Sequence, residues 1–125
     1  MKINHIGIVV KDIVKSKAMY TKMGYSSITD IIQDWNQNNH IILMKLHDSP
    51  SIELIQPINI QSSVYHFAPG YHHICYERDE EDIVQFYRDM KVGKIFTRPI
   101  TAPALNNRDV VFACMHDGTF VELII

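Results

Sequence analysis

Apolar residues in this chain fall into short runs that alternate between the strand period and the helix period. Ile3-Asn4-His5-Ile6-Gly7-Ile8-Val9-Val10 is brief and rich in β-branched residues, which predicts a strand with a histidine near its start. A helix is expected next. Asp12 can accept hydrogen bonds from its first free amides, Ile13, Val14, Ala18 and Met19 supply an apolar face, and Gly24 supplies a left-handed stop just past Met23. Three strand candidates follow, near 25–32, 40–46 and 51–56, separated by Asn36-Gln37-Asn38-Asn39 and by Asp48-Ser49-Pro50.

The same order recurs after a connector at about 59–70. Tyr71-His72-His73-Ile74-Cys75-Tyr76-Glu77 reads as a strand, again with a histidine near its start. An acidic helix start at 79–82, apolar positions Ile83, Val84, Phe86 and Tyr87, a stop at Gly93, and strands near 94–97, 109–115 and 119–125 complete the half. The fold class expected is α+β: two tandem βαβββ modules, about 1–58 and 71–125, within a single domain over 1–125.

The spacing supports a duplication. His5 to Gly24 is 19 residues and His73 to Gly93 is 20; His5 to Glu53 is 48 and His73 to Glu122 is 49. Glu53 sits in Ser51-Ile52-Glu53-Leu54-Ile55 and Glu122 in Phe120-Val121-Glu122-Leu123-Ile124. An ionised carboxylate among aliphatic neighbours is costly to desolvate unless a cation or hydrogen-bond donors compensate. Because strand side chains alternate faces, Glu53 points away from Ile52 and Leu54, toward an interior that His5 can share. Applied to both modules, this brings His5, Glu53, His73 and Glu122 to one cavity. Taken singly, each is a common strand residue; it is their recurrence at matched positions that argues for a site. Two imidazoles and two carboxylates suit one divalent ion, Zn²⁺, Ni²⁺, Co²⁺, Fe²⁺ or Mn²⁺, and an octahedral ion would keep two positions open for substrate oxygens. His40, His47, His66 and His116 have no matched partner, and His72 is expected to point away from His73.

Composition narrows the partners. The 125 residues are 46% hydrophobic and 21% charged, enough for a packed core, and 12 basic against 14 acidic residues give a formal charge of −2. With no basic run, nucleic acid and anionic membrane are not expected partners, and a small molecule is. No apolar stretch approaches the roughly 20 residues that span a bilayer, and the N-terminus lacks an apolar signal segment, so a cytoplasmic protein is expected. Cys75 and Cys114 read as buried thiols rather than as a disulfide framework.

At these motifs the chain resembles the vicinal oxygen chelate superfamily, the glyoxalase/bleomycin-resistance/dioxygenase fold, over essentially its whole length. His5-Ile6-Gly7-Ile8-Val9-Val10-Lys11-Asp12-Ile13, His72-His73-Ile74-Cys75-Tyr76-Glu77 and Phe120-Val121-Glu122-Leu123 look like segments of methylmalonyl-CoA epimerases and related glyoxalases. The resemblance implies curved mixed sheets around a cavity and metal ligands at His5, His73 and Glu122, with the remaining position falling on Glu53. It also implies a lactoylglutathione lyase-like or epimerase-like isomerase or lyase, in which the metal stabilises an enediolate while a carboxylate moves a proton. Glu122 is the expected base, with Glu53 second. Epimerases carry a further Glu after the first helix; here that region is Gln33-Asp34-Trp35-Asn36, so Asp34 stands as its only acidic candidate.

The segment Ala102-Pro103-Ala104-Leu105-Asn106-Asn107-Arg108 is a candidate substrate loop, with Arg108 to grip a carboxylate or phosphate and Asn106 to orient it. Trp35 is a candidate for the pocket mouth or the core. Expected substrates are hemithioacetals, acyl-CoA thioesters or other α-oxo compounds. The alternative is a metal-free binding protein of the antibiotic-resistance type. An iron-dependent extradiol dioxygenase fits less well, because of the short chain and the fourth ligand. Relatives are commonly dimeric, and exposed strand edges seek partners, so a homodimer is expected.

Overall fold

β1 (Lys2–Val9) and β6 (Gly70–Glu77) pair antiparallel in the middle of one ten-stranded sheet. This computed structural model describes residues 1–79 and 82–125. In chain order the other elements are α1 (Ile13–Lys22), β2 (Ser26–Ser27), β3 (Ile32–Asp34), β4 (Asn39–Lys45), β5 (Ser51–Pro57), α2 (Ile83–Met90), β7 (Gly93–Ile95), β8 (Ile100–Ala102), a 3₁₀ turn (Pro103–Leu105), β9 (Arg108–Met115) and β10 (Phe120–Ile124). The sheet runs β2-β4-β5-β1-β6-β10-β9-β7, with β3 on β4 and β8 on β9. β5 lies parallel to β1 and β10 parallel to β6, each reached through a helix and a meander.

The two halves mirror one another in register. Gly7 pairs with Glu53 and Cys75 with Glu122, so each glutamate lies opposite the residue two positions after its half's histidine. Across the central pair, His5 faces Cys75 and Gly7 faces His73. The register slips once between Ile3 and His5 and once between Gly7 and Ile8, leaving Asn4 and His72 as unpaired bulge residues on opposite strands.

Alternation explains the layers. Ile8, Ile42, Met44, Ile52 and Leu54 point to the outer face, where α1 covers them with Val10, Ile13 and Tyr20. Val111, Ala113, Val121 and Leu123 do the same beneath Ile83 and Tyr87 of α2. Val9, Ile41, Leu43, Ile55, Cys75, Val110 and Ile124 point inward and pack together. Glu53 and Glu122 share this inner face, flanked in sequence by residues that point out to the helices.

The helix caps are partly as expected. Asp12 accepts from the Lys15 amide, and Gln56 Oε1 accepts from the Ile13 amide at 2.8 Å. Gly24 has φ +104°, the left-handed turn its position called for. Only Ile13 of the expected apolar face of α1 is buried; Val14 and Met19 are 65% and 63% exposed. Asp82 caps α2 through the Val84 and Gln85 amides, while Glu80 and Glu81 of the acidic start lie outside the described residues.

Gly93 is not the stop of α2. Lys91 takes the left-handed cap at φ 53°, and Gly93 opens β7, where a Cβ would lie 2.3 Å from the Cys114 carbonyl oxygen. Counted to the caps, Met23 and Lys91, both intervals from the site histidines are 18 residues. The single strands expected near 25–32 and 94–97 are each two short pieces, β2 with β3 and β7 with β8, pairing successive stretches of β4 and β9. Asn36 bridges the two halves, donating from Nδ2 to the Thr101 carbonyl at 2.8 Å.

Candidate metal centre

Four adjacent strands, β5, β1, β6 and β10, each bring one side chain to the same point: Glu53, His5, His73 and Glu122. One ligand atom from each lies within 4.8 Å of all the others, and the four meet within a single chain. His5 Nε2 and His73 Nε2 are 3.2 Å apart, and each is 3.0 Å from Glu122 Oε2. Glu53 Oε2 lies 3.5 Å from His5 Nε2, and its Oε1 lies 4.0 Å from His73 Nε2. All four residues are buried, with exposures from 0% to 6%.

The far side of each imidazole is also held. Asn4 Oδ1 accepts from His5 Nδ1 at 2.9 Å, and His72 Nδ1 is 2.9 Å from His73 Nδ1. Since an amide oxygen can only accept, His5 carries its proton on Nδ1 and, when neutral, turns a bare lone pair toward the cluster. Lone pairs and carboxylate oxygens packed at 3.0–3.5 Å repel one another unless a proton or a metal cation sits between them. Donors about 2.0–2.2 Å from a common ion stand about 2.8–3.6 Å apart as neighbours in octahedral or tetrahedral geometry and about 4.0–4.4 Å apart across an octahedron, a range that takes in these spacings. Two neutral imidazoles and two carboxylates carry the charge that one divalent ion balances, so the donor set fits such an ion.

The electrostatics separate the two acids. Burial alone would raise Glu122, but hydrogen bonds from His5 and His73 hold its carboxyl well below the usual carboxylate range. Glu53 is raised, first by burial and then by the neighbouring Glu122. Burial pulls His5 down, but Glu53 and Glu122 outweigh it, and the net shift is upward from 6.5.

A cavity of about 260 Å³ opens beside the cluster, with Glu53 and His73 in its wall. Phe67, Phe96, Phe112 and Phe120 line it, together with Asn39, Gln61 and Ser63. Glu122 is not among its lining residues. His72 is, contrary to its expected outward direction: the bulge turns the ring inward, where it stacks on Phe120 at 5.5 Å and 20°. Its pKa falls to about 4, chiefly through burial, so it is neutral near pH 7.

Asp34 is buried close to the site, but its carboxylate accepts from the Asn36 and Gln37 amides and from Gln37 Nε2, holding the turn after β3. Burial raises its pKa. Arg108 and Asn106 are not brought to the cavity. Arg108 donates to Glu77 at 3.0 Å and to the Leu105 carbonyl, and Asn106 forms a left-handed cap at φ 58°. Trp35 is 59% exposed and does not line the cavity. His40, His47, His66 and His116 are outside the cluster. Cys75 is buried and Cys114 half-buried; both are free thiols. The cavity-lining phenylalanines and the stretch Gln61–Phe67 carried no signal in the sequence beyond their apolar or polar type.

Residues 4–124 match the family model described as the glyoxalase/bleomycin resistance protein/dioxygenase superfamily, and the chain belongs to that superfamily. Its fold is shared by the crystal structure of a hypothetical protein from Bacillus halodurans C-125, with TM-score 0.80, 22% identity, and 98% of this chain and 92% of that one covered. A methylmalonyl-CoA epimerase from Mycobacterium tuberculosis gives TM-score 0.80 and 21% identity, covering 98% of this chain and 85% of that one. A variant Streptomyces coelicolor methylmalonyl-CoA epimerase in complex with 2-nitronate-propionyl-CoA gives TM-score 0.80 and 20% identity, covering 99% and 96%. At these identities the likeness establishes the fold. No curated protein matches the sequence. No helix among the described residues is long and apolar enough to cross a membrane.

Proposed function

We propose that this protein is a metal-dependent isomerase or lyase of the glyoxalase type, moving a proton on a carbon next to two adjacent substrate oxygens. The observation that carries the reading is the buried quartet His5, Glu53, His73 and Glu122, whose charge and donor spacing call for a divalent cation beside an open cavity. Such an ion supplies Lewis acidity to the two oxygens and lowers the barrier to removing the neighbouring proton.

The remaining work falls to side chains of this chain. His5, His73 and Glu122 would hold the ion, and Asn4 and His72 fix the two imidazoles. We take Glu53 rather than Glu122, the base expected from the resemblance, as the residue that moves the proton. The reading is supported by Glu53 lining the cavity, with burial raising its carboxyl, whereas Glu122 is not in the lining and its carboxyl is held below the usual range by His5 and His73. Glu53 accepts the proton from the substrate carbon and returns it to the same or the neighbouring carbon. Asp34, engaged with the turn amides, holds that turn rather than serving as a second acid. The protein acts on a small molecule, in the cytoplasm, where its two free thiols persist.

The competing reading is a metal-free binding protein, in which shared protons neutralise the quartet; the raised His5 and Glu53 give it its support. Incubating the metal-loaded protein with hemithioacetals and acyl thioesters in D₂O separates the two. Deuterium entering the carbon beside the carbonyl supports the enzyme, and none in any substrate, with metal bound, contradicts it.

A further inference from the structure

The wall of the cavity carries more information than the metal cluster does. Among the described residues, Glu53 is the only acidic residue lining it, and no Lys or Arg does. The rings form a connected set: Phe67 stands edge-on to His72 at 4.6 Å and to Phe120 at 5.7 Å, and Phe96 meets Phe120 at 5.8 Å. Phe112 closes the set against His73 at 5.5 Å.

Consider what a substrate places there once its two chelating oxygens face the ion. A second carboxylate or phosphate would be desolvated beside Glu53 with no cation in the wall to meet it. A ring or branched alkyl group instead buries apolar surface and gains edge-to-face contacts with the phenylalanines. A cavity of about 260 Å³ is close to the lower end of small-molecule pockets, roughly 300–1,000 Å³, and leaves space for a group larger than methyl.

We infer that the substrate carries an uncharged, ring-sized or branched apolar substituent on the carbon beside its chelating oxygens, seated against Phe67, Phe96, Phe112 and Phe120. This rests on the metal-centred reading of the site, and the test scores the two separately. Metal uptake is first measured by titration with Ni²⁺ alone, which judges that reading on its own. The loaded protein is then titrated with three α-hydroxy acids that share the same chelating atoms: lactate with a methyl group, mandelate with a phenyl group and malate with an additional carboxylate. Mandelate should bind about tenfold or more tighter than lactate, malate no tighter than lactate, and Phe112→Ala or Phe96→Ala should remove most of the mandelate advantage. Equal binding of lactate and mandelate, or tightest binding of malate, overturns the assignment while leaving the metal centre standing. If no metal binds, the same comparison on the metal-free protein uses phenyl glycol, propylene glycol and glycerate. Preference for phenyl glycol upholds the substituent class, and absence of that preference overturns it.

Discussion

Asn4 and His72 occupy the same place in the two halves: each is the extra residue of a β-bulge, and each lies 2.9 Å from Nδ1 of the site histidine that follows it. A bulge turns a side chain that alternation would send to the other face. The pair thereby orients both imidazoles with Nε2 toward the cluster, although one member is an amide and the other an aromatic ring. Residues that orient metal-binding histidines in this way typically change metal affinity about 10–100-fold when removed.

The duplicated pair therefore supplies its own control. His72→Asn places in the second half the residue that the first half uses, and should hold metal affinity within a few-fold. His72→Ala should weaken it by about 10–100-fold. Competition with a chromophoric chelator measures both, and equal loss in the two variants contradicts a positioning role.

Gly7 lies under the ring of His73, and a Cβ there would stand 2.2 Å from His73 Cε1. Because β1 and β6 are paired at this position, the backbone cannot withdraw, and the ring must move instead. Gly7→Ala should cost about 1–3 kcal/mol in urea unfolding and lower metal affinity further than that loss of stability explains. Unchanged metal binding would show that the ring position is not needed.

The two carboxylates should fail differently. Glu122→Gln removes a negative charge from the buried donor set, beside both imidazoles, and should weaken metal binding by about 100-fold or more. Glu53→Gln keeps an oxygen donor and should keep most of the metal, while proton exchange into substrate falls by about 10²–10⁴-fold. Exchange that survives in Glu53→Gln and vanishes in a metal-loaded Glu122→Gln reverses the assignment.

Stability without metal should depend on pH in a set direction. His5 and Glu53 both have folded pKa values above their ordinary ones, so the folded state holds protons that the unfolded chain gives up. Their stabilisation is complete below the unfolded values and is lost as pH rises through the folded ones, for His5 above 6.5. Glu122 contributes the opposite slope, but only as pH falls below its ordinary 4.5, because its folded pKa is depressed. His72, lowered to about 4, gives the opposite slope up to 6.5, so the fall is read above that value: metal-free protein should melt at a lower temperature at about pH 8.5 than at about pH 7, and metal should remove most of that difference by replacing the protons. Thermal scans with and without a chelator test this.

Much of this arrangement was legible in the sequence because it rests on alternation. Glu53 between Ile52 and Leu54, and Glu122 between Val121 and Leu123, could face inward only if their neighbours faced the helices, and they do. The caps at Asp12 and Gly24 followed from local chemistry. His72 was not legible, since the bulge that turns it inward is set by pairing between β1 and β6 and not by its own neighbours. Nor was the broken strand after each helix, whose two pieces follow the length of β4 and β9. Gly93 looked like a helix stop because glycine usually serves there, whereas close packing of β7 on β9 is what requires it. Arg108 had the chemistry of a ligand grip, but the chain pairs it with Glu77, outside the cavity lining, through a contact between strands that its own neighbours do not announce.

The most direct test of the account is calorimetric titration of chelator-stripped protein with Ni²⁺ or Zn²⁺, run in two buffers of different ionisation enthalpy beside His73→Ala. The account predicts one ion per chain, release of protons that rises as pH falls from about 8 to about 6, and loss of binding in the variant. A wild-type protein that takes up no ion, or a His73→Ala variant that binds as tightly as wild type, would contradict it.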